Sequence, residues 1–395
     1  MPRPQRTRCQ SLRPDALPYK KTARRRLNGT SLPDDALSVI FSKLLDAAHV
    51  VRCAATCARW GRVVATSAAT ISRPLPPLGR FLPQLAVGVF HLQRDGPTAR
   101  TRSAPGAPQP CFLPMASGRR LLDCQASTSM GSLFTGTDGA VFDYSCPVAS
   151  RNGRLVLEFH GDGLTFCVCN PMTGHVVVLP PCFSSVSGGK DDSRPANYNC
   201  ALLTGDDLHP RRCTKFFRLL LVYNRRPGFT ALRCYSSDTG RWGAEARSPV
   251  DVSSRELRHM GHAVVLHGAA FWPLDQGALG CVFTPMIRSN SDDIQNGKKE
   301  SSFDEKRVPM HQMKMTWRDF TLLKIRWVGE KSGLILFTIG SGRHSGTHGL
   351  NLWDGTVEKL ADEGHSWGNL VGFEMDWEAY LTSMARNQLL CSNCS

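Results

Sequence analysis

No apolar run in the 395-residue sequence approaches the roughly 20 residues needed to cross a bilayer, and no apolar region of a secretory signal is present. A soluble intracellular protein of the nucleus or cytoplasm is expected, with no membrane partner. Acidic side chains are scarce: 33 Asp and Glu stand against 48 Lys and Arg, a formal charge of +15. Signatures of catalysis are missing too. No G-x-x-x-x-G-K-[ST] stretch occurs, and Gly188-Gly189-Lys190 lacks both the earlier glycine and the hydroxyl residue of a phosphate-cradling loop. There is no H-E-x-x-H. Gly340-x-Gly342-x-x-x-Gly346 is one residue off a dinucleotide fingerprint and lies between apparent strands, so it reads as a turn. His344 and His348 are spaced i, i+4, but Gly342, Gly346 and Gly349 argue against the helix that would align them. His262 and His267 sit five apart across an apolar strand. These absences name no catalytic residue and no cofactor, and a non-enzymatic protein is expected.

Cysteine is plentiful, at 15, but the number is odd and no secretory signal accompanies it. Reduced, mostly buried thiols follow. Cys391 and Cys394 have C-x-x-C spacing without a second pair at zinc-ribbon distance, and a closed zinc site needs four converging ligands. No metal is expected. Cys167 and Cys169 are spaced i, i+2, on one face of a strand.

The basic excess is unevenly placed. Residues 1–31 hold nine basic side chains against the single acid Asp15, so more than half of the net charge lies there. With Pro and Arg and no apolar face, residues 1–30 read as a disordered tail. Lys20-Lys21 and Arg24-Arg25-Arg26 fit a nuclear import signal, an arm touching polyanions, a transit peptide, or a tail with no addressee.

Residues 31–65 are the most informative. Leu32 leads into Pro33, tolerated at the start of a helix because the amide it lacks has no partner there. Asp34 and Asp35 place carboxylates at the positive end of the helix dipole. Leu37, Ile40, Phe41 and Leu44 fall at i, i+3, i+4 and i+7, one apolar stripe. A second stripe runs Val51, Ala54, Ala55, Ala58 and closes on Trp60. This predicts a helical hairpin with more apolar face than it can bury against itself. The order Leu32-Pro33, Ile40, Leu44, Val51-Arg52, Cys57, Arg59-Trp60 and Arg62 resembles the F-box, the helical module that binds the Skp adaptor of cullin–RING ubiquitin ligases. The resemblance implies an adaptor-binding set of Leu32, Pro33, Leu37, Ile40, Leu44, Val51, Cys57 and Trp60 within an F-box at 31–73.

From Phe81 the texture changes to short apolar runs between Gly, Asn and Asp turns. Asn152-Gly153 before Arg154-Leu155-Val156-Leu157-Glu158-Phe159 is a hairpin signal. Strands follow at 164–169 and 176–179, and similar units recur at 217–223, 231–235, 263–266, 269–274, 334–339 and 350–353. The recurring element is a strand, then Asn or Asp with Thr-Gly or Gly-Thr, then a strand. Repeated meanders over residues 80–385 suit a β-propeller of six or seven blades at roughly 40–50 residues each; the alternative is an irregular β-sandwich or barrel. Asn170-Pro171-x-Thr173-Gly174, His267-Gly268-Ala269-Ala270-Phe271-Trp272 and Asp376-x-x-Ala379-Tyr380-Leu381 resemble the kelch-like domains that follow the F-box in large plant families. Residues 100–110, 187–197 and 288–314 read as loops or insertions, the last of them mobile, and 386–395 as a tail.

The fold expected is therefore a small all-α F-box followed by a large all-β domain. The leading function is an SCF-type substrate receptor that binds the Skp adaptor and cullin complex and holds a protein substrate. A β-propeller enzyme and a nucleic-acid binder with a basic tail are the alternatives. Lys324-Ile325-Arg326-Trp327 and Arg241-Trp242 put cations beside rings, but an outward Arg next to an inward Trp is what a half-buried sheet produces.

Overall fold

The computed structural model describes residues 32–44, 46–72, 81–93, 109–122, 126–133, 142, 144–159, 164–183, 195–207, 215–225, 228–248, 251–266, 268–274, 277–282, 323–339, 346–361 and 367–392. The basic tail, the 288–314 insertion, His267, His344 and Cys394 lie outside them. Of the other two expected loops, residues 109–110 begin a strand and 195–197 lead into one.

The front of the chain folds into helices α1 (Asp34–Ser42), α2 (Ala47–Thr56), α3 (Ala58–Thr66) and the short α4 (Ala68–Ser72). This corrects the expected hairpin. The second apolar stripe is broken at Cys57, whose extended backbone (φ −158°, ψ 160°) ends α2 and starts α3. Polar side chains set these starts: Asp46 accepts from the Ala48 amide at 2.9 Å, and Cys57 Sγ accepts from the Trp60 amide at 3.5 Å. Leu37, Phe41, Val50, Ala54, Val63 and Val64 fill the space between the helices.

The β part forms five antiparallel sheets. The second sheet is β4 (Ser145–Arg151), β5 (Arg154–Phe159), β6 (Thr165–Asn170) and β7 (His175–Val178) in simple order. The third is β8 (Tyr198–Thr204), β9 (Phe217–Arg225) and β10 (Phe229–Ser236), with β11 (Arg241–Trp242) and β12 (Ala246–Arg247) both on β10. The fourth is β13 (Val264–Leu266), β14 (Ala269–Leu274) and β15 (Gly277–Val282), and the fifth β16 (Leu323–Val328), β17 (Leu334–Ile339), β18 (Gly346–Asn351) and β19 (Val357–Ala361). The first sheet draws on both ends of the chain. Its β1 (Ala86–Gln93), β2 (Gln109–Pro114) and β3 (Thr128–Ser129) are joined by β20 (Trp367–Glu374), which pairs with β1. Strands β20, β4, β8, β13 and β16 are thus the first strands of their sheets. They stand side by side around an axis, β20 against β4, β4 against β8, β8 against β13 and β16 back against β20. These sheets are five propeller blades among the described residues.

Apolar wedges between blades hold the ring. Val156, Phe166, Leu202, Phe217, Leu219 and Tyr223 fill the space between the second and third sheets. Leu203, Leu220, Val222, Val265 and Trp272 do so between the third and fourth. The Asn152-Gly153 turn has φ of 46° and 74°, the double left-handed geometry that a two-residue hairpin needs. Between the third and fourth strands of three sheets one turn recurs. The amides of Gly174, Gly240 and Gly355 each donate to the carbonyl four residues back, on Asn170, Ser236 and Asn351, all at 2.9 Å. Each of these glycines has positive φ.

The sequence did not signal helix α7 (Trp377–Ser392), where strand and tail were expected. Asp376 caps it by accepting from the Ala379 amide at 3.0 Å, and it packs on α3 and α4 with Leu381 wholly buried. A further helix, α5 (Ala116–Leu122), packs against β1 and α2. One continuous apolar core therefore runs from Leu37 and Phe41 through Trp377 and Leu381 to Val87, Phe90 and Phe373 of the first sheet. The helices cap the end of the ring at which β20 finishes.

Candidate functional site

Two regions present unsatisfied chemistry: a helical face and one end of the propeller channel. On the helices, Leu32 (52% exposed), Val39 (55%) and Ile40 (46%) stand out in solvent. Pro33 and Cys57 are exposed, while Leu44, Val51 and Trp60 are half-buried. Leu37 is only 4% exposed and packs inside with Phe41, so it supports the helix from behind and leaves the presented set. The stripe of α1 is thus two faces: Leu37 and Phe41 turn inward, Val39 and Ile40 outward. Val39 was missed because it falls off the i, i+3, i+4 pattern. Its signal was the surplus of apolar residues on so short a helix, more than one buried stripe of about 100° accommodates.

The face is rigidly held. Arg59 of α3 donates from Nε and Nη2 to Asp34 Oδ1 at 2.9 and 2.7 Å, and also to the Leu32 carbonyl, pinning the entry to α1. Trp60 packs edge-to-face on Phe41, centroids 5.4 Å apart.

The two ends of the channel differ. At the end capped by the helices, polar contacts tie all five sheets. Ser150 donates to the Gly372 carbonyl, and Arg151 bonds Asp207 at 2.6 and 2.9 Å and pairs with Glu330. Glu330 accepts from the Val265 amide at 3.0 Å, and buried Glu374 accepts from the amides of Lys331 and Ser332 at 3.1 and 2.6 Å. At the opposite end a cavity of about 350 Å³ opens, lined by residues of all five inner strands or the segments beside them. Arg326 was read as the outward residue of its strand. It lines this cavity, half-buried, while its neighbour Ile325 is exposed and Trp327 buried.

Of the four histidines singled out above, His262 and His348 are among the described residues. His262 Nε2 lies 3.1 Å from the Leu370 carbonyl, and burial lowers its pKa to about 4. His348 stacks on Phe337 at 5.5 Å. Among the described residues no three His, Cys, Asp or Glu converge as metal ligands. Cys167 and Cys169 are free, buried thiols, and burial raises the Cys169 pKa. Gly364-His365-Ser366-Trp367-Gly368 spells G-x-S-x-G, but its end enters strand β20, whereas a nucleophile elbow runs from strand into helix.

Residues 30–69 match the F-box-like family model. No curated protein matches the chain. Among solved structures, TolB from Acinetobacter baumannii is similar at 9% identity over 79% of this chain and 73% of that one, with a TM-score of 0.34. The β-propeller domain of the Trilobed protease from Pyrococcus furiosus is similar at 10% identity, 65% and 75% coverage and a TM-score of 0.31. At such scores these likenesses carry no weight here, and the propeller architecture rests on the strand pairings above. The chain thus carries an F-box-like helical segment at its front and an all-β body behind it.

Proposed function

We propose that this chain is the substrate-recognition subunit of an SCF-type cullin–RING ubiquitin ligase, acting in the nucleus or cytoplasm. Its F-box-like helices dock a Skp-type adaptor, and the propeller recruits a protein substrate. The observation that carries the reading is the exposed Leu32, Val39 and Ile40 face within the matched segment, held in place by Arg59 and backed by a buried core. Apolar anchors of this kind supply most of the energy when a helix lies in a partner's groove. No catalytic residue is required of the chain. Tethering a substrate lysine near the charged conjugating enzyme raises its effective concentration, and that is the mechanism. A kelch-like character for the propeller belongs to this proposal, supported by the recurrent Asn/Ser-x-x-x-Gly turn of three sheets.

The test is co-purification of the full chain with a Skp-type adaptor. Val39→Glu combined with Ile40→Glu is expected to weaken adaptor binding by more than about tenfold, since hot-spot truncations exceed 1–2 kcal/mol. Thermal unfolding should stay unchanged, because both side chains are exposed. Leu44 and Trp60 are poorer probes, being packed against the core. Undiminished adaptor binding by the double variant rejects the reading.

A further inference from the structure

Apolar clusters fill the seams between the first four sheets and between the fifth and the first. The fifth sheet sends Trp327, Leu334 and Leu336 into the core of the first. The fourth sends Val265, Ala270 and Trp272 toward the third, where Leu257 of helix α6 (Ser254–His259) joins them. Among the described residues no apolar cluster spans the fourth and fifth sheets.

The faces bordering that seam are nonetheless apolar. Side chains alternate across a strand, so with Leu334 and Leu336 turned to the first sheet, Ile335, Phe337 and Ile339 turn away from it. On this second face one aliphatic row crosses all four strands, Val328, Ile335, Leu350 and Val357 in register. Val357 is 58% exposed, Ile325 49% and Ile339 42%, while Val328, Ile335 and Leu350 are half-buried. On the fourth sheet the face turned from the third carries Val264 opposite Phe271, both half-buried. A lone exposed aliphatic side chain is ordinary, but a contiguous face of them marks a surface that something covers.

The chain itself supplies a cover. Val282 ends β15 in the fourth sheet and Leu323 begins β16 in the fifth, so residues 283–322 start and finish at the two sheets that border the face. That length matches one blade, roughly 40–50 residues. Near its end Met313, Met315 and Trp317 alternate with Lys314, Thr316 and Arg318. Period 2 gives an extended segment one apolar and one polar side, as a segment lying on a sheet needs. From Asp319 to Leu322 the chain then reaches about 13 Å when extended, enough to cross the ~10 Å between stacked layers and enter β16.

We propose that residues 313–318 seat on this face of the fifth sheet, with Met313, Met315 and Trp317 against its aliphatic row. Tethered at both ends, the segment has an effective concentration there that a free partner must exceed. A second copy of the chain or a separate protein reaches the face only by displacing it. Neither adaptor nor substrate enters, so a failure here leaves the receptor reading intact.

The full chain is made with the photo-reactive residue p-benzoylphenylalanine in place of Ile339. A control carries it in place of Val178, which is exposed on the outer strand of the second sheet. After irradiation, peptide mapping of the monomer-mass product should join the probe at 339 to residues 313–318, and the probe at 178 should not reach them. Linked dimers give the face to a second copy and overturn the proposal. So do products that map elsewhere in the chain, equal labelling from position 178, or no product from position 339. Independently, Met315→Ser with Trp317→Ser should lower Tm by several degrees and raise the binding of a dye for apolar surface. Lys314→Ser with Arg318→Ser, on the polar side, should do neither. Equal behaviour of the two pairs also overturns the proposal.

Discussion

The two ends of the propeller channel carry the same residue types to opposite effect. At the end beneath the helices Arg151 is shared by Asp207 and Glu330, Lys331 reaches Asp206 at 3.2 Å, and Glu374 is filled by two amides. At the other end Lys324 and Arg326 have no acidic partner among the described residues, and bulges interrupt the ladders of β4, β16 and β20. Charge that ties blades together is answered by charge from the neighbouring blade. Counting buried cations would not separate these cases; following each to its partners does.

The comparison is sharpest if one cation is removed from each end. Arg151→Met leaves Asp207 and Glu330 without their counter-charge and should cost about 3–5 kcal/mol, read from the midpoint of denaturant unfolding. A loss below about 1 kcal/mol would erase the distinction between the ends, because Arg326→Gln is expected to cost nothing.

Protonation attacks the open end next. Burial lowers the folded-state pKa of His262 to about 4 from the ordinary 6.5, so its contribution is complete above pH 6.5 and is lost as pH falls toward 4. The size is roughly 3 kcal/mol. His91, also held at about 4 by burial, behaves alike. Glu374 and Asp376, whose carboxyls burial pushes up, work in the opposite sense. Comparing the pH–stability curves of His262→Gln and the parent isolates the imidazole: the variant should be flatter between pH 6.5 and 4.

The smallest effect tests how the helices are fastened to the closed end. A Cβ on Gly153 would stand 2.5 Å from Asp376 Cβ and 2.6 Å from its amide nitrogen, at φ +74°. Gly153→Ala should cost about 1–3 kcal/mol, with faster amide hydrogen exchange at the start of α7 as its signature. Unchanged exchange there would mean that the turn and the helix are not coupled.

Much of this was legible in order along the chain. Strand–turn–strand units announced the sheets because a hairpin such as Asn152-Gly153 is decided by residues adjacent in sequence. The make-up of the first sheet was not legible, since it depends on β20 returning to pair with β1 across nearly the whole body. Nor was α7 visible: it packs on α3 and α4, more than 300 residues away in sequence. Of the residues the pattern singled out on the helical front, Leu32, Pro33 and Ile40 are exposed and Leu37 is buried, while the exposed Val39 falls off the pattern. Periodicity says which residues share a side of a helix, and only neighbours say which side is covered.

By itself, then, the sequence determined the helical front with its Leu-Pro entry and Asp-Asp start, the meandering β body, and its turns, all set by local dihedral preference and hydrophobic spacing. The tertiary structure decided which apolar side of α1 stays in water, which strand completes the first sheet, and which arginines find a carboxylate. Those outcomes depend on contacts between residues distant in the chain, whose pairing no local pattern encodes.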